Sequence, residues 1–305
     1  MNGDLKISII IITYNRPDDM LELVQNIISL DHKDHLEEVI IVNNKSTADY
    51  KPVEDLLKAH PGIRFKYFIT KENLGVSRGR NFAIQKASAP LLVFIDDDAL
   101  FQNKDTLLQI QNIFSEEKNK EAGIAAFKIY YQSTLDFQKN AFPHKEFKKR
   151  KNLKEFDTYF FSGCAHAIRR NVFETVGYYP ENFFYGMEEY DLSYRTINEG
   201  FKIIYDDRVT VLHKESPSGR LLNKDKLGGM WVNKTKVAWK YLPKKYYYST
   251  AILWSLQYLR RTGWHFAGWS KGWKEIFKIH SQKKRNVLGR QALNYLKKVK
   301  ARLWY

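Results

Sequence analysis

The sequence predicts an α/β protein: a mostly parallel, twisted sheet flanked by helices, with a helical extension at its C-terminus. Three observations lead there. Apolar strand runs alternate with helical patterns from Lys6 to Ile95, as in βαβ units. The runs lack polar alternation, as strands buried on both faces do. Beyond His213 the texture changes to interleaved Trp, Tyr, Lys and Arg, with all seven tryptophans at or after Trp231.

In chain order, Lys6 to Thr13 reads as the first buried strand. Pro17 sits in the first turn of a helix in which Met20, Leu23, Val24, Ile27 and Ile28 recur at helical spacing. Glu38 to Val42 is a second strand, Lys51 to Ala59 a second helix and Arg64 to Ile69 a third strand. Val76 to Ala87 is a third helix and Leu91 to Ile95 a fourth strand. Lys139 to Lys154 is basic and poor in structural signals. It reads as a mobile surface loop, either a solvated charge run or a lid touching an anion. Asn171-Val-Phe-Glu174 resembles a capping box opening a short helix. Glu188 to Glu199 reads as a helix closed by Gly200, followed by strands at Phe201 to Tyr205 and Val209 to Leu212. Pro243 separates two later helical stretches.

Composition bounds the function. With 305 residues, 44% of them apolar, the chain can bury a sizeable core. The one cysteine, Cys164, allows no internal disulfide and fits a reducing compartment. Ile7 to Ile12 is too short for a signal-peptide core, and no apolar run reaches the roughly 18 residues of a transmembrane helix. A cytoplasmic protein is expected. Basic residues outnumber acidic ones 50 to 34, a net charge of +16. The excess gathers in Lys139 to Lys154 and beyond His213. Zinc-finger spacing and an RNP-like aromatic signature are both missing, so no nucleic-acid partner is expected. An anionic substrate or membrane surface accounts better for the charge.

Ligands of open α/β sheets bind beyond the carboxyl ends of the strands. Those ends carry Thr13-Tyr14-Asn15-Arg16, Asn43-Asn44-Lys45-Ser46 and Asp96-Asp97-Asp98. Three adjacent carboxylates repel one another, and a divalent cation with oxygen ligands, Mn²⁺ or Mg²⁺, is the natural counter-charge. The bland alternative is an exposed acidic turn. Asn73-Leu-Gly75-Val-Ser77-Arg78-Gly79-Arg80-Asn81 opens a helix with small residues, so that backbone amides can approach an anion and Arg80 can add a bidentate contact. The segment Phe183 to Arg195 gathers Glu188, Glu189 and Asp191 at a helix start. They serve there either the helix dipole or, as a paired carboxylate of raised pKa, a general base. His213 ends a strand and is either structural or the imidazole that completes an acidic metal site.

In this order the features resemble glycosyltransferase family 2 on the GT-A, Rossmann-like fold. The resemblance covers roughly Lys6 to His213. It implies that 1–213 is the nucleotide-sugar-binding and catalytic domain and 214–305 an aromatic, basic helical region. It implies that Thr13, Tyr14 and Arg16 line the nucleotide pocket, that Gly75, Arg80, Asp96 and Asp97 contact the nucleotide, and that Asp96, Asp98 and His213 hold the metal. Gly163 and Cys164 fall near the donor sugar and acceptor. Glu189 falls at the position of the family's Asp base, with Glu188 and Asp191 as rivals, and Asn43 stands where the family has an Asp that contacts the base. The implied reaction is transfer of a sugar, with inversion, from a nucleotide-diphosphate donor such as a UDP-sugar to a hydroxyl of a lipid-linked or polysaccharide acceptor. A non-catalytic sugar-nucleotide or polysaccharide-binding module on the same fold is the alternative. Trp231, Trp239, Tyr241, Tyr246 to Tyr248, Trp254, Trp264, Trp269 and Trp273 suit a lipid boundary, which implies peripheral contact with the inner face of the plasma membrane. A helical appendage or dimer interface with these aromatics in its core is the other reading.

Overall fold

The computed structural model describes residues 5–183, 186–216, 223–282 and 284–304; Phe184 and Tyr185 of the acidic segment lie outside them. The described residues form a nine-stranded sheet in the order β3-β2-β1-β4-β8-β6-β9-β5, with β7 paired to β9. The first half is the expected alternation: β1 (Ile7–Thr13), α1 (Pro17–Ile28), β2 (Leu36–Asn43), α2 (Lys51–Ala59), β3 (Phe65–Ile69), α3 (Gly75–Lys86) and β4 (Leu91–Ile95). These four strands pair with one another in parallel. The second half adds β5 (Ala99–Phe101), α4 (Thr106–Ser115), β6 (Ala122–Tyr131), α5 (Phe147–Arg150), β7 (Glu155–Thr158), β8 (Ala165–Arg169), α6 (Arg170–Val176), α7 (Glu188–Asn198) and β9 (Lys202–His213). Of its pairs only β6 with β9 is parallel; β8 runs antiparallel to both β4 and β6. The helices α8 (Asn223–Tyr241), α9 (Lys244–Arg261), α10 (Phe266–Phe277), α11 (Ile279–Gln282) and α12 (Arg290–Lys298) close the chain.

Side-chain alternation along β1 sends Ile7, Ile9 and Ile11 to one face of the sheet and Ile10 to the other. The first face packs on Met20, Leu23 and Val24 of α1, Val53 of α2 and Ile110 of α4. The second packs on Ala83 and Ile84 of α3 and Leu192 of α7, and on Trp231, Tyr241 and Leu296 of the C-terminal helices.

Several expectations need correction. The two strands expected after Gly200 are one, β9, because buried Asp206 accepts from the backbone N–H and guanidinium of Arg208 and carries the chain through a register shift against β6. Asn171 lies inside α6, whose cap position is Arg169 with no side-chain bond, so there is no capping box. The 139–154 segment is anchored rather than loose. Phe142 packs edge-on against Phe137 and Phe147, and the His144 ring bonds to the Val299 carbonyl at 2.8 Å. Trp231, Trp239, Tyr241, Tyr246 and Tyr247 are buried, so these aromatics serve the core reading and not the lipid one.

Candidate active site

Parallel pairing of β1 with β4 sets Thr13 to Arg16 beside Asp96 to Asp98 at the same carboxyl edge. β9 pairs its last residue, His213, with Ala99 and so delivers the imidazole to that edge. β8 enters antiparallel and sets Cys164 there, its carbonyl accepting from the Asp96 N–H at 2.8 Å. Gly186 and Met187 both have positive φ, +81° and +73°. That turn aims the first residues of α7 into the same space. The result is a cavity of about 660 Å³ lined by the acidic triplet, Glu188, Glu189 and His213, with Thr13, Tyr14, Arg16, Gly75 and Arg80 among its other walls.

The triplet is neither an exposed turn nor free of counter-charge. Asp97 and Asp98 are 4% and 1% exposed. Arg16 Nη1 lies 2.7 Å from Asp97 Oδ1 and 3.2 Å from Asp98 Oδ2. Arg80 Nη2 lies 3.4 Å from Asp96 Oδ1. Burial still pushes Asp96 up to about 6 and Asp97 up to about 7, against the pull of Arg80 on the first and Arg16 on the second. Six carboxylates line the cavity against Arg16, Arg80 and Lys226, which leaves it short of positive charge.

His213 fits the missing cation. Its Nδ1 is 2.9 Å from Gln138 Oε1, an amide oxygen that can only accept, so Nδ1 carries a proton and a neutral ring has its lone pair on Nε2. Nε2 is buried without a hydrogen bond and lies 3.3 Å from Asp98 Oδ1. Asp96, Cys164 and His213 each offer a ligand atom within 4.8 Å of the others. Burial raises the Cys164 thiol well above its ordinary pKa, and hard divalent cations prefer oxygen, which leaves Asp96 and His213 of that group as fitting ligands, with Asp98 Oδ1 beside them at 3.3 Å from Nε2.

On the facing wall Arg80, buried, spends its donors on protein groups. It bonds to the Gly163 carbonyl at 2.8 Å and lies 3.6 Å from Glu188 and 3.5 Å from Glu189. It serves there as an internal counter-ion in the cavity wall. Glu188 is 2% exposed, its Oε2 has no hydrogen bond, and burial beside Glu189 raises its pKa. Glu189 is the more open of the two. A Cβ at Gly163 would lie 2.2 Å from Glu189 Oε1, so only glycine leaves that carboxylate its place.

Three expected contacts fall elsewhere. Asp191 accepts from Arg195 at 2.8 Å, Tyr241 at 2.9 Å and Lys240 at 3.1 Å, away from the cavity. Asn43 donates to Tyr67 and accepts from the Ser46 N–H, and does not line the cavity. The amides of Leu74 and Gly75 bond to the side chains of Asn44 and Asn73, so the glycine loop offers no vacant amide pair there. Sequence reasoning missed Gln138, the Thr13 partner Tyr50 at 2.6 Å, and the parallel stack of Phe160 on Tyr190 at 4.9 Å, because each comes from a distant stretch of chain.

Residues 8–177 match the sequence profile of Glycosyl transferase family 2. An uncharacterized protein of Haemophilus influenzae is 33% identical over 174 residues, 57% of this chain and 92% of that one. The O-antigen chain rhamnosyltransferase WbaN of Salmonella anatum is 26% identical over 189 residues, 60% of this chain but 58% of its own length. Among solved structures, the mannosyltransferase PcManGT of Pyrobaculum calidifontis, in complex with GDP-Man and Mn²⁺, matches with a TM-score of 0.62 at 18% identity, over 98% of this chain and 81% of that one. S. aureus TarS 1-349 in complex with UDP-GlcNAc matches with a TM-score of 0.62 at 16% identity, over 90% and 81%. At such identities these structures speak for a shared GT-A fold alone.

Proposed function

The chain belongs to glycosyltransferase family 2, and from that premise we propose that it moves a sugar from a nucleotide-diphosphate donor, a UDP-sugar, to a hydroxyl of a lipid-linked or polysaccharide acceptor with inversion. One observation carries the reading: the acidic triplet and the Glu188–Glu189 pair line the same cavity, with Arg80 in reach of Asp96 and of both glutamates. Thr13, Tyr14, Arg16 and Gly75 form the nucleotide end. The stacked rings of Phe160 and Tyr190 give the other end a flat apolar face, which suits the C–H face of an acceptor sugar.

Glu189 takes the proton of the acceptor hydroxyl. The freed oxygen forms its bond to the anomeric carbon from the face opposite the diphosphate, and the carbon–oxygen bond to the diphosphate breaks with its electron pair. A divalent ion held by Asp96, Asp98 and His213, Mn²⁺ or Mg²⁺, would neutralise charge on the departing diphosphate. Arg80 keeps both glutamates fixed and tempers their repulsion. Gln138 keeps the imidazole in the tautomer that leaves Nε2 available. The site works at the inner face of the plasma membrane, reached peripherally, where polysaccharide precursors on lipid carriers would be met.

Thermal unfolding with a panel of nucleotide sugars tests the first step. A donor at a hundredfold excess over its Kd adds about 2.7 kcal/mol to the wild type in Mn²⁺. Asp98→Asn loses most of that gain. Full protection in EDTA, or full protection of Asp98→Asn, would remove the metal from the reading.

A further inference from the structure

We propose that the outer face of α9 and α10 is a docking surface for an anionic lipid bilayer. On α9, Tyr248, Ile252, Leu253 and Leu256 follow helical spacing and stand in solvent, Ile252 at 51% and Leu256 at 57% exposure. Trp264 and Phe266, in and after the α9–α10 connection, are 64% and 60% exposed, and Phe277 at the end of α10 is 72% exposed. Between Phe266 and Phe277 the half-buried Trp269 and Trp273 tie this face to the core, with ring contacts at 6.5, 6.2 and 5.5 Å along α10 and Trp273 edge-on to Trp231. So large an array of exposed aromatic and aliphatic side chains on one pair of helices marks an interaction surface.

Charge chooses the occupant. Between residues 223 and 304 the sequence holds twenty lysines and arginines against two acidic residues, Asp225 and Glu275. Arg260, Arg261, Lys271 and Lys274 are exposed on the same two helices as the apolar side chains, and Lys278, just past α10, pairs with Glu275 at 2.9 Å. A second copy of the chain would set this positive face against its like. A bilayer with acidic headgroups offers negative charge outside and apolar depth within, and aromatic rings with basic neighbours match that boundary. No helix among the described residues is long and apolar enough to cross a membrane, so the contact lies along the surface. The face also has a fixed relation to the cavity: α8 packs on α9 and α10 and puts Lys226 and Met230 into the cavity wall.

The inference deepens the function proposed above, since it names where a lipid-linked acceptor is met, but it rests on a surface remote from the triplet. The test is flotation of the full chain with vesicles of equal parts phosphatidylglycerol and phosphatidylcholine, and with phosphatidylcholine alone. Wild type floats with the acidic vesicles only, and added salt weakens the binding. The double change Ile252→Glu with Leu256→Glu lowers the bound fraction about tenfold or more. Lys271→Glu with Lys274→Glu lowers it in step with the lost charge. Both variants keep nucleotide protection in Mn²⁺, which shows that their fold and donor site survive. The proposal is overturned if wild type stays out of the acidic vesicles or floats equally with neutral ones. It is also overturned if the glutamate pair binds like wild type, or if the face mediates only self-association or only capture of a soluble polyanion. Flotation without any nucleotide protection would sink the proposed function and leave the surface standing.

Discussion

Glu189 carries the sharpest expectation at the scale of single residues. Glu189→Gln keeps the shape of the side chain and the contact with Arg80 but cannot take a proton. Turnover should fall about 10²–10⁴-fold while donor affinity changes little. Near wild-type turnover in Glu189→Gln together with a dead Glu188→Gln would move the base to Glu188. Much of this site can be read from the sequence. Asp96 to Asp98, Glu188, Glu189 and His213 announce themselves because their chemistry is concentrated in a few adjacent positions at element ends. Asp191 and Asn43 mislead for a shared reason. Their residue types are right for the chemistry, but their direction is set by partners remote in the chain. Asp191 is claimed by Tyr241 and Lys240, and Asn43 by Tyr67. No local pattern encodes those partners.

At the scale of elements, the parallel half is legible because β1, β2 and β4 hold the apolar runs Ile9 to Ile12, Val39 to Val42 and Leu91 to Ile95 without polar alternation, the mark of strands covered on both sides. The added half is harder. β6 is rich in alanine and glycine and lacks a clear period, and the Asp206-Asp207-Arg208 interruption of β9 looks like a break until the pairing of Asp206 with Arg208 is seen. The aromatic helices are the least legible, since exposed and buried rings share one composition. Trp231 decides the matter for α8. It is fully buried, donates to the Ala251 carbonyl at 3.0 Å, and lies so close to Gly272 of α10 that a Cβ there would come within 2.3 Å of the ring. Trp231→Ala should cost about 3–5 kcal/mol of unfolding free energy in urea. A loss below about 1 kcal/mol would mean that α8, α9 and α10 do not pack as a unit.

At the scale of the whole molecule, the division near residue 213 is proposed as one of labour rather than of folding. Chemistry gathers on the sheet and surface recognition on the helices, yet Phe94 and Leu92 share one apolar cluster with Trp231, Tyr241, Leu296 and Leu303. A fragment ending at residue 216 should therefore aggregate or melt without cooperativity, as followed by circular dichroism and light scattering. A soluble fragment with a sharp transition would make the two parts independent. The basic tail is legible from composition. That it seals the catalytic sheet is not, because a hydrophobic pattern says that a face is covered and never by what. The shared cluster also sets a timetable for synthesis. While the ribosome is still making α12, the sheet face already in existence has α3 and α7 over it but lacks the cover that Leu296 and Leu303 add to the same cluster. The nascent chain must keep the rest of that apolar face out of trouble until the later helices have been added, so its hazardous interval comes late in translation.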